Sequence, residues 1–274
     1  MPLGSPRTSH FSQQGTPSEL VHLQKDGRPE LWEKFLQVDR VVSYFVGSVL
    51  FLAGSIFYFP KYSILGNGAG GIFGSWAFLI GCVLFWSCAS VDFVLMVHIN
   101  EGSILRRVLW AHVALCNYLA SCIFVLGALY FLPTWYPKSP ELGCWCFFVG
   151  SILFCLAALA DIGFICYTHA DPRITGCSLK NLWCWGTVAD VCTFVGAALF
   201  TTGSWFYLPK YIAQEDAQKS EDYMYLAITY YTIGSVFFVV SSLAMVPGMR
   251  DALNAGKISA GKDGSDQSCK RCLV

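Results

Sequence analysis

The same fourteen-residue phrase occurs three times in this chain, each time in register with a proline. The copies are Gly47-Ser-Val-Leu-Phe-Leu-Ala-Gly-Ser-Ile-Phe-Tyr-Phe-Pro60, Ala120-Ser-Cys-Ile-Phe-Val-Leu-Gly-Ala-Leu-Tyr-Phe-Leu-Pro133 and Gly196-Ala-Ala-Leu-Phe-Thr-Thr-Gly-Ser-Trp-Phe-Tyr-Leu-Pro209. A small residue stands 13 before each proline, Phe 9 before, Gly 6 before, and aromatics 3 and 2 before. The prolines are 73 and 76 residues apart. Repetition this regular means that one structural unit is built three times and stacked against itself.

Each phrase closes a long apolar run. Six such runs are legible: Val41–Phe59, about Trp76 to Val97, Val108–Leu132, Leu142–Tyr167, about Leu182 to Leu208, and Tyr223–Val246. A helix needs about 20 apolar residues to cross a hydrocarbon core of about 30 Å. The runs do not alternate polar with apolar, so they are not barrel strands. Only 13% of residues are charged, against about 25% in soluble domains. Net charge is zero, so no basic field points to nucleic acid. These features predict an all-α membrane protein with six transmembrane helices, and the lipid bilayer as its first partner. The polar start, with no apolar stretch before Val41, predicts no cleavable signal peptide.

Charge sets the expected orientation. Fourteen of the 18 Lys and Arg residues fall in the two tails and the segments after the second and fourth runs. The other segments hold only Lys61, Lys138, Lys210 and Lys219. The positive-inside rule then places both termini on the cytoplasmic side and the three prolines on the opposite face. Tyr58, Tyr62, Trp76, Trp135, Trp145, Trp205 and Tyr211 gather at that face, as an interfacial belt does.

The returning helices repeat too: Ile80-Gly-Cys-Val-Leu-Phe85, Val149-Gly-Ser-Ile-Leu-Phe154 and Ile233-Gly-Ser-Val-Phe-Phe238 align without a gap. Each unit is thus a helical hairpin, and three hairpins in one orientation form a parallel repeat. Gly47 with Gly54, Ala120 with Gly127, and Gly196 with Gly203 are seven apart and share a helix face. With Gly81, Gly150 and Gly234 they are the candidate helix-packing positions, because small residues let backbones approach in lipid. Ser48, Ser55, Ser121 and Ser204 stand beside them as hydrogen-bonding groups. The expected organisation is a polar tail 1–40 with a short interfacial helix at 30–40, hairpins at 41–100, 108–169 and 182–247, and a disordered tail 248–274.

The stretches Phe45–Phe51 and Trp76–Phe85 resemble the YrhK-like domain family, a short two-helix membrane hairpin. Trp145–Phe154 matches the second half of that pattern, and the third copy is more diverged. The similarity spans about 60 residues per copy. The resemblance implies a membrane class and carries no catalytic residue, cofactor or substrate with it.

Five ionisable residues interrupt the runs or flank them. Asp92 and Asp161 both follow the repeat glycine by 11 residues, where the third copy has Met245. Asp39 and His112 both lie 21 before their prolines, and Asp190 lies 19 before its own. At 1.5 Å per residue these three are about 30 Å from the prolines, near the opposite membrane boundary. One reading is a polar ring of Asp92, Asp161, Asp190, Asp39 and His112 that binds a cation or relays protons. The other is interfacial acids that meet water, a helix end or Arg106 and Arg107.

Most of the thirteen cysteines lie in apolar runs, where Cys behaves as a small hydrophobe. Their odd number and spacing give no disulfide framework. Cys269 and Cys272 have basic neighbours that permit palmitoylation, but Cys272 is third from the end and fits no prenylation box. No metal-protease, nucleophile-elbow or phosphate-loop motif occurs, and no cofactor or metal site is expected. The sequence favours a non-enzymatic structural or interaction protein, with homo-oligomer or membrane-protein partners. A small-solute or ion transporter or channel using Asp92, Asp161 and Asp190 is the alternative.

Overall fold

A computed structural model describes residues 30–96, 104–167 and 177–258. All regular structure among them is helical: α1 Glu30–Tyr58, α2 Pro60–Ser63, α3 Leu65–Met96, α4 Ile104–Tyr130, α5 Pro140–Cys166, α6 Trp185–Phe206, α7 Pro209–Ile212 and α8 Ala217–Ile258. Six of these are long and apolar enough to cross a membrane. The chain is a multi-pass integral membrane protein.

The prolines build one recurring turn. Proline has no N–H and disfavours helix in the residue before it. Phe59 and Leu208 accordingly leave the helix, with ψ 135° and 141°, and Pro60 and Pro209 start the one-turn helices α2 and α7. In each copy the residue two after the proline donates its N–H to the residue before it. The bonds are Tyr62 to Phe59 at 2.8 Å, Trp135 to Leu132 at 2.9 Å and Tyr211 to Leu208 at 2.8 Å. Lysines fold onto the nearby rings: Lys138 Nζ lies 4.9 Å from the Trp135 centroid and Lys210 Nζ 3.7 Å from that of Trp205. Beside this turn, burial pushes the Tyr136 phenol up from its ordinary range, helped by Cys144.

Three hairpins follow: α1 with α3, α4 with α5, and α6 with α8. They close into a ring, since α3 packs on α4, α5 on α6 and α8 on α1. The hairpins are held together by reciprocal glycine–phenylalanine contacts. A Cβ added at Gly47 would meet Phe85 at 2.7 Å, and one at Gly81 would meet Phe51 at 2.8 Å. Gly150 lies 2.5 Å from Phe124 on the same measure, and Gly234 2.7 Å from Phe200. Gly196 faces Phe238 at 3.0 Å, while Gly54, Gly127 and Gly203 back onto Phe78, the Cys146–Phe147 pair and Tyr231. Of the neighbouring serines, Ser55 reaches Ser235 at 3.4 Å and Ser204 accepts from Tyr231 at 3.0 Å. Ser48 and Ser121 instead donate to carbonyls of their own helices, Tyr44 and Asn117.

Several sequence boundaries shift. The second spanning helix starts well before Trp76. Gly66, Asn67 and Gly68 have φ of 60°, 57° and 94°, and this left-handed step redirects the chain before the helix proper. Gly70 is obligatory there, because a Cβ would lie 2.0 Å from the Tyr62 carbonyl oxygen. The expected interfacial helix at 30–40 is not separate: Glu30–Arg40 is the first part of α1. The segment 248–258, expected as disordered tail, continues α8, which passes through Pro247 without ending.

Candidate functional site

Two features lie on or near the ring axis: an aromatic plug in the middle and a polar layer at the end where α1 begins and α8 ends. The plug follows from the repeat. Phe51, Phe124 and Phe200, each nine before its proline, point inward and are 0%, 1% and 0% exposed. Their centroids form a near-equilateral triangle, with sides of 6.3 Å (Phe51–Phe124), 5.8 Å (Phe51–Phe200) and 6.3 Å (Phe124–Phe200). Each is flanked by two rings of its own hairpin. Phe51 meets Phe78 and Phe85 at 5.2 and 4.8 Å, Phe124 meets Phe147 and Phe154 at 5.0 and 5.2 Å, and Phe200 meets Tyr231 and Phe238 at 5.0 and 5.3 Å. Nine aromatic rings from equivalent positions therefore fill the bundle centre. The sequence marked the Phe nine before each proline but assigned it no role; its inward direction required the three hairpins to be assembled.

The polar layer is organised by a residue that sequence reasoning used only as one positive charge among fourteen. Arg40 on α1 pairs with Asp92 on α3 and lies within electrostatic range of Asp161 on α5 and Asp190 on α6, one acid from each repeat. Arg40 Nε lies 2.9 Å from Asp92 Oδ1, with 24% and 12% of the two side chains exposed. These two atoms form an ion pair without hydrogen-bond alignment, so both also count as buried atoms lacking a hydrogen-bond partner. Asp161 and Asp190 lie near each other across the α5–α6 interface. Asp190 Oδ2 is buried, with no hydrogen-bond donor among the described residues.

A hydroxyl chain lies one turn further into the bundle. Ser241 Oγ donates to the Ala189 carbonyl at 2.8 Å. A hydroxyl has one proton to give. Ser241 therefore accepts from Thr193 at 2.8 Å, and Thr193 accepts from Tyr44 OH at 3.0 Å. This directed chain joins α1, α6 and α8.

The five-residue ring expected from sequence is only partly assembled. Asp92 pairs with Arg40, and Asp161 and Asp190 lie within its electrostatic range. Asp39 turns aside and accepts from Ser43 Oγ at 3.2 Å and from Ser87 Oγ at 3.5 Å. His112 is exposed and meets Cys116 Sγ at 3.5 Å on its own helix. The reason is angular: equal distance from the prolines fixes depth in the bundle, not the helix face. Among the described residues no three His, Cys, Asp or Glu side chains converge as a metal ion would require. Asp92 pairs with a guanidinium instead. Cys269 and Cys272 lie outside the described residues.

Compared with known families, the description "YrhK-like protein" matches residues 34–96, 107–165 and 184–246. The chain belongs to the YrhK-like family. Each YrhK-like match covers one hairpin, from the entering helix through the proline turn to the end of the apolar part of the returning helix. The three YrhK-like units thus account for the spanning bundle, including the plug and the polar layer. No curated protein and no solved structure matches the chain.

Proposed function

We propose that this YrhK-like chain is a non-enzymatic structural or interaction protein of a membrane, with both termini on the cytoplasmic side. The observation that supports this reading is the plug. The axis of a six-helix ring is where a permeation path would run, and there the chain places three fully buried phenylalanines about 6 Å apart with their flanking rings. Aromatic packing of this kind excludes water and favours one rigid arrangement. The orientation rests on the lysine and arginine bias between segments. The expected partners are other membrane proteins or further copies of the chain.

The test is flux through the purified full chain in liposomes, with dyes for protons and for sodium or potassium. The expected result is a leak equal to that of protein-free vesicles. Orientation is checked by tagging either terminus: neither tag is lost to protease added outside intact cells, and loss of either reverses it.

A second reading, transport, is favoured by the polar layer. One guanidinium lies among three carboxyls within the spanning helices, and ionisable groups at such depth commonly line ion or proton paths. Measured flux above the empty-vesicle leak that disappears in Asp161→Asn replaces the structural reading with this one.

A further inference from the structure

Two cysteines that play no part in the polar layer meet at the end of α5. Cys166 is its last residue and is 7% exposed. Cys177 is exposed and stands just ahead of the short helical turn Leu179–Leu182. Two donors converge on the Cys166 carbonyl: Ser178 N–H at 3.0 Å and Asn181 Nδ2 at 3.3 Å. A carbonyl in the last turn of a helix lacks an intrahelical partner. These bonds satisfy it and pin residues 177–181 onto the helix end. The Cα of Cys166 and the Cα of Cys177 each lie two bonds from an atom of the 3.0 Å bond, so they are at most about 8 Å apart. Both are free thiols, and each lies near enough to feel the other electrostatically. Three other thiols have partners of their own: Cys144 the Pro140 and Tyr207 carbonyls, Cys155 Phe194 O and Cys184 Thr187 Oγ1.

We propose that Cys166 and Cys177 form a reversible disulfide that staples the end of α5 to the segment leading into α6. The oxidant class is a low-molecular-weight disulfide such as oxidised glutathione. Cys177 is the accessible thiol, so it attacks first as the thiolate. Its sulfur bonds to one sulfur of the oxidant, the oxidant's S–S bond breaks, and one small thiol leaves. Cys166 then attacks Cys177 of this mixed disulfide and displaces the second small thiol. The two protein thiol protons end on the two released thiols, and two electrons pass to the oxidant. The new bond joins repeats 2 and 3, five residues along α5 from Asp161. It makes Cys166 more than the small hydrophobe its apolar run suggests.

The test is peptide mass spectrometry on the full chain in detergent, treated with oxidised glutathione and digested with trypsin without reduction. Cleavage after Arg173 and Lys180 releases 174–180, which contains Cys177 alone, from 139–173, which contains Cys166. The expected product is these two peptides joined and lighter by two hydrogens, with fragment ions that place the bond at Cys166. In Cys166→Ser the joined product is lost and Cys177 retains a glutathione adduct. Three results would each overturn the proposal: glutathione that stays on wild-type Cys177, a bond from Cys177 to another cysteine, or joined peptides that survive in Cys166→Ser. The wild-type measurement decides the matter even if the variant folds poorly.

Discussion

Arg40 and Asp92 show how much one side chain can depend on its surroundings. Each has only a small exposed fraction, so neither is fully hydrated, and each is the other's ion partner at 2.9 Å. Removing one member of such a pair leaves the other uncompensated, at a cost of about 3–5 kcal/mol, whereas replacing both with apolar groups is often neutral. Arg40→Met should therefore lower stability toward the smaller end of that range, because the guanidinium is 24% exposed. Asp92→Leu should act in the same direction, and the double variant should recover a large part of the loss. Thermal unfolding in detergent checks this; additive losses would mean that the two side chains do not depend on each other. The acids were legible in the sequence because a carboxylate stands out in an apolar run. Arg40 was not, because it lies at the polar edge of the first run and reads as one more charge near a terminus. Only the angle of α1 to its neighbours turns it inward.

Between residues and the whole stand the hairpins, where glycine and phenylalanine act as a matched pair. A ring can lie flat against a helix only where the facing residue has no side chain, and the repeat supplies that residue at equivalent depths. A Cβ at Gly54 would lie 2.5 Å from Phe78 Cδ2 and 3.1 Å from the Gly74 carbonyl. The ring has some room to move but the backbone has none. Gly54→Leu should therefore destabilise by at least the ~1–3 kcal/mol typical of overpacking, with loss of monodisperse protein on gel filtration. Unchanged yield and unchanged thermal stability would remove Gly54 from the α1–α3 contact. Most of the hairpin was readable in advance: six apolar runs, the helix stop at each proline, and the glycine spacing. The start of the second spanning helix was not. Gly66, Asn67 and Gly68 look like a loop in one dimension, yet the helix begins only a few residues beyond them, after one left-handed step.

At the scale of the molecule, the three hairpins close a ring, and each supplies one phenylalanine to the axis. No hairpin can bury its own Phe51, Phe124 or Phe200 alone, since each needs the other two rings. Helices that insert independently and then pack do not require a continuous chain. Cutting the chain within 168–176 and co-expressing the halves should therefore yield a complex that co-purifies and unfolds as one unit. The first half alone, without α6–α8, should aggregate, because Phe51 and Phe124 lose Phe200 and α1 loses α8. A first half that stays monodisperse and as stable as the full chain would show that the ring is not cooperative.

The sequence by itself determined the membrane class, the number of spans, the threefold repetition and the points where helices stop. All of these follow from one-dimensional quantities: run length, spacing and the missing N–H of proline. The tertiary structure decided which side chains share the axis, that Arg40 pairs with Asp92 near Asp161 and Asp190 while Asp39 and His112 turn away, and that the chain after Cys177 is bonded to the Cys166 carbonyl. Spacing along a helix sets depth, but rotation about each helix axis decides contact, and that rotation is set only when all six helices pack together.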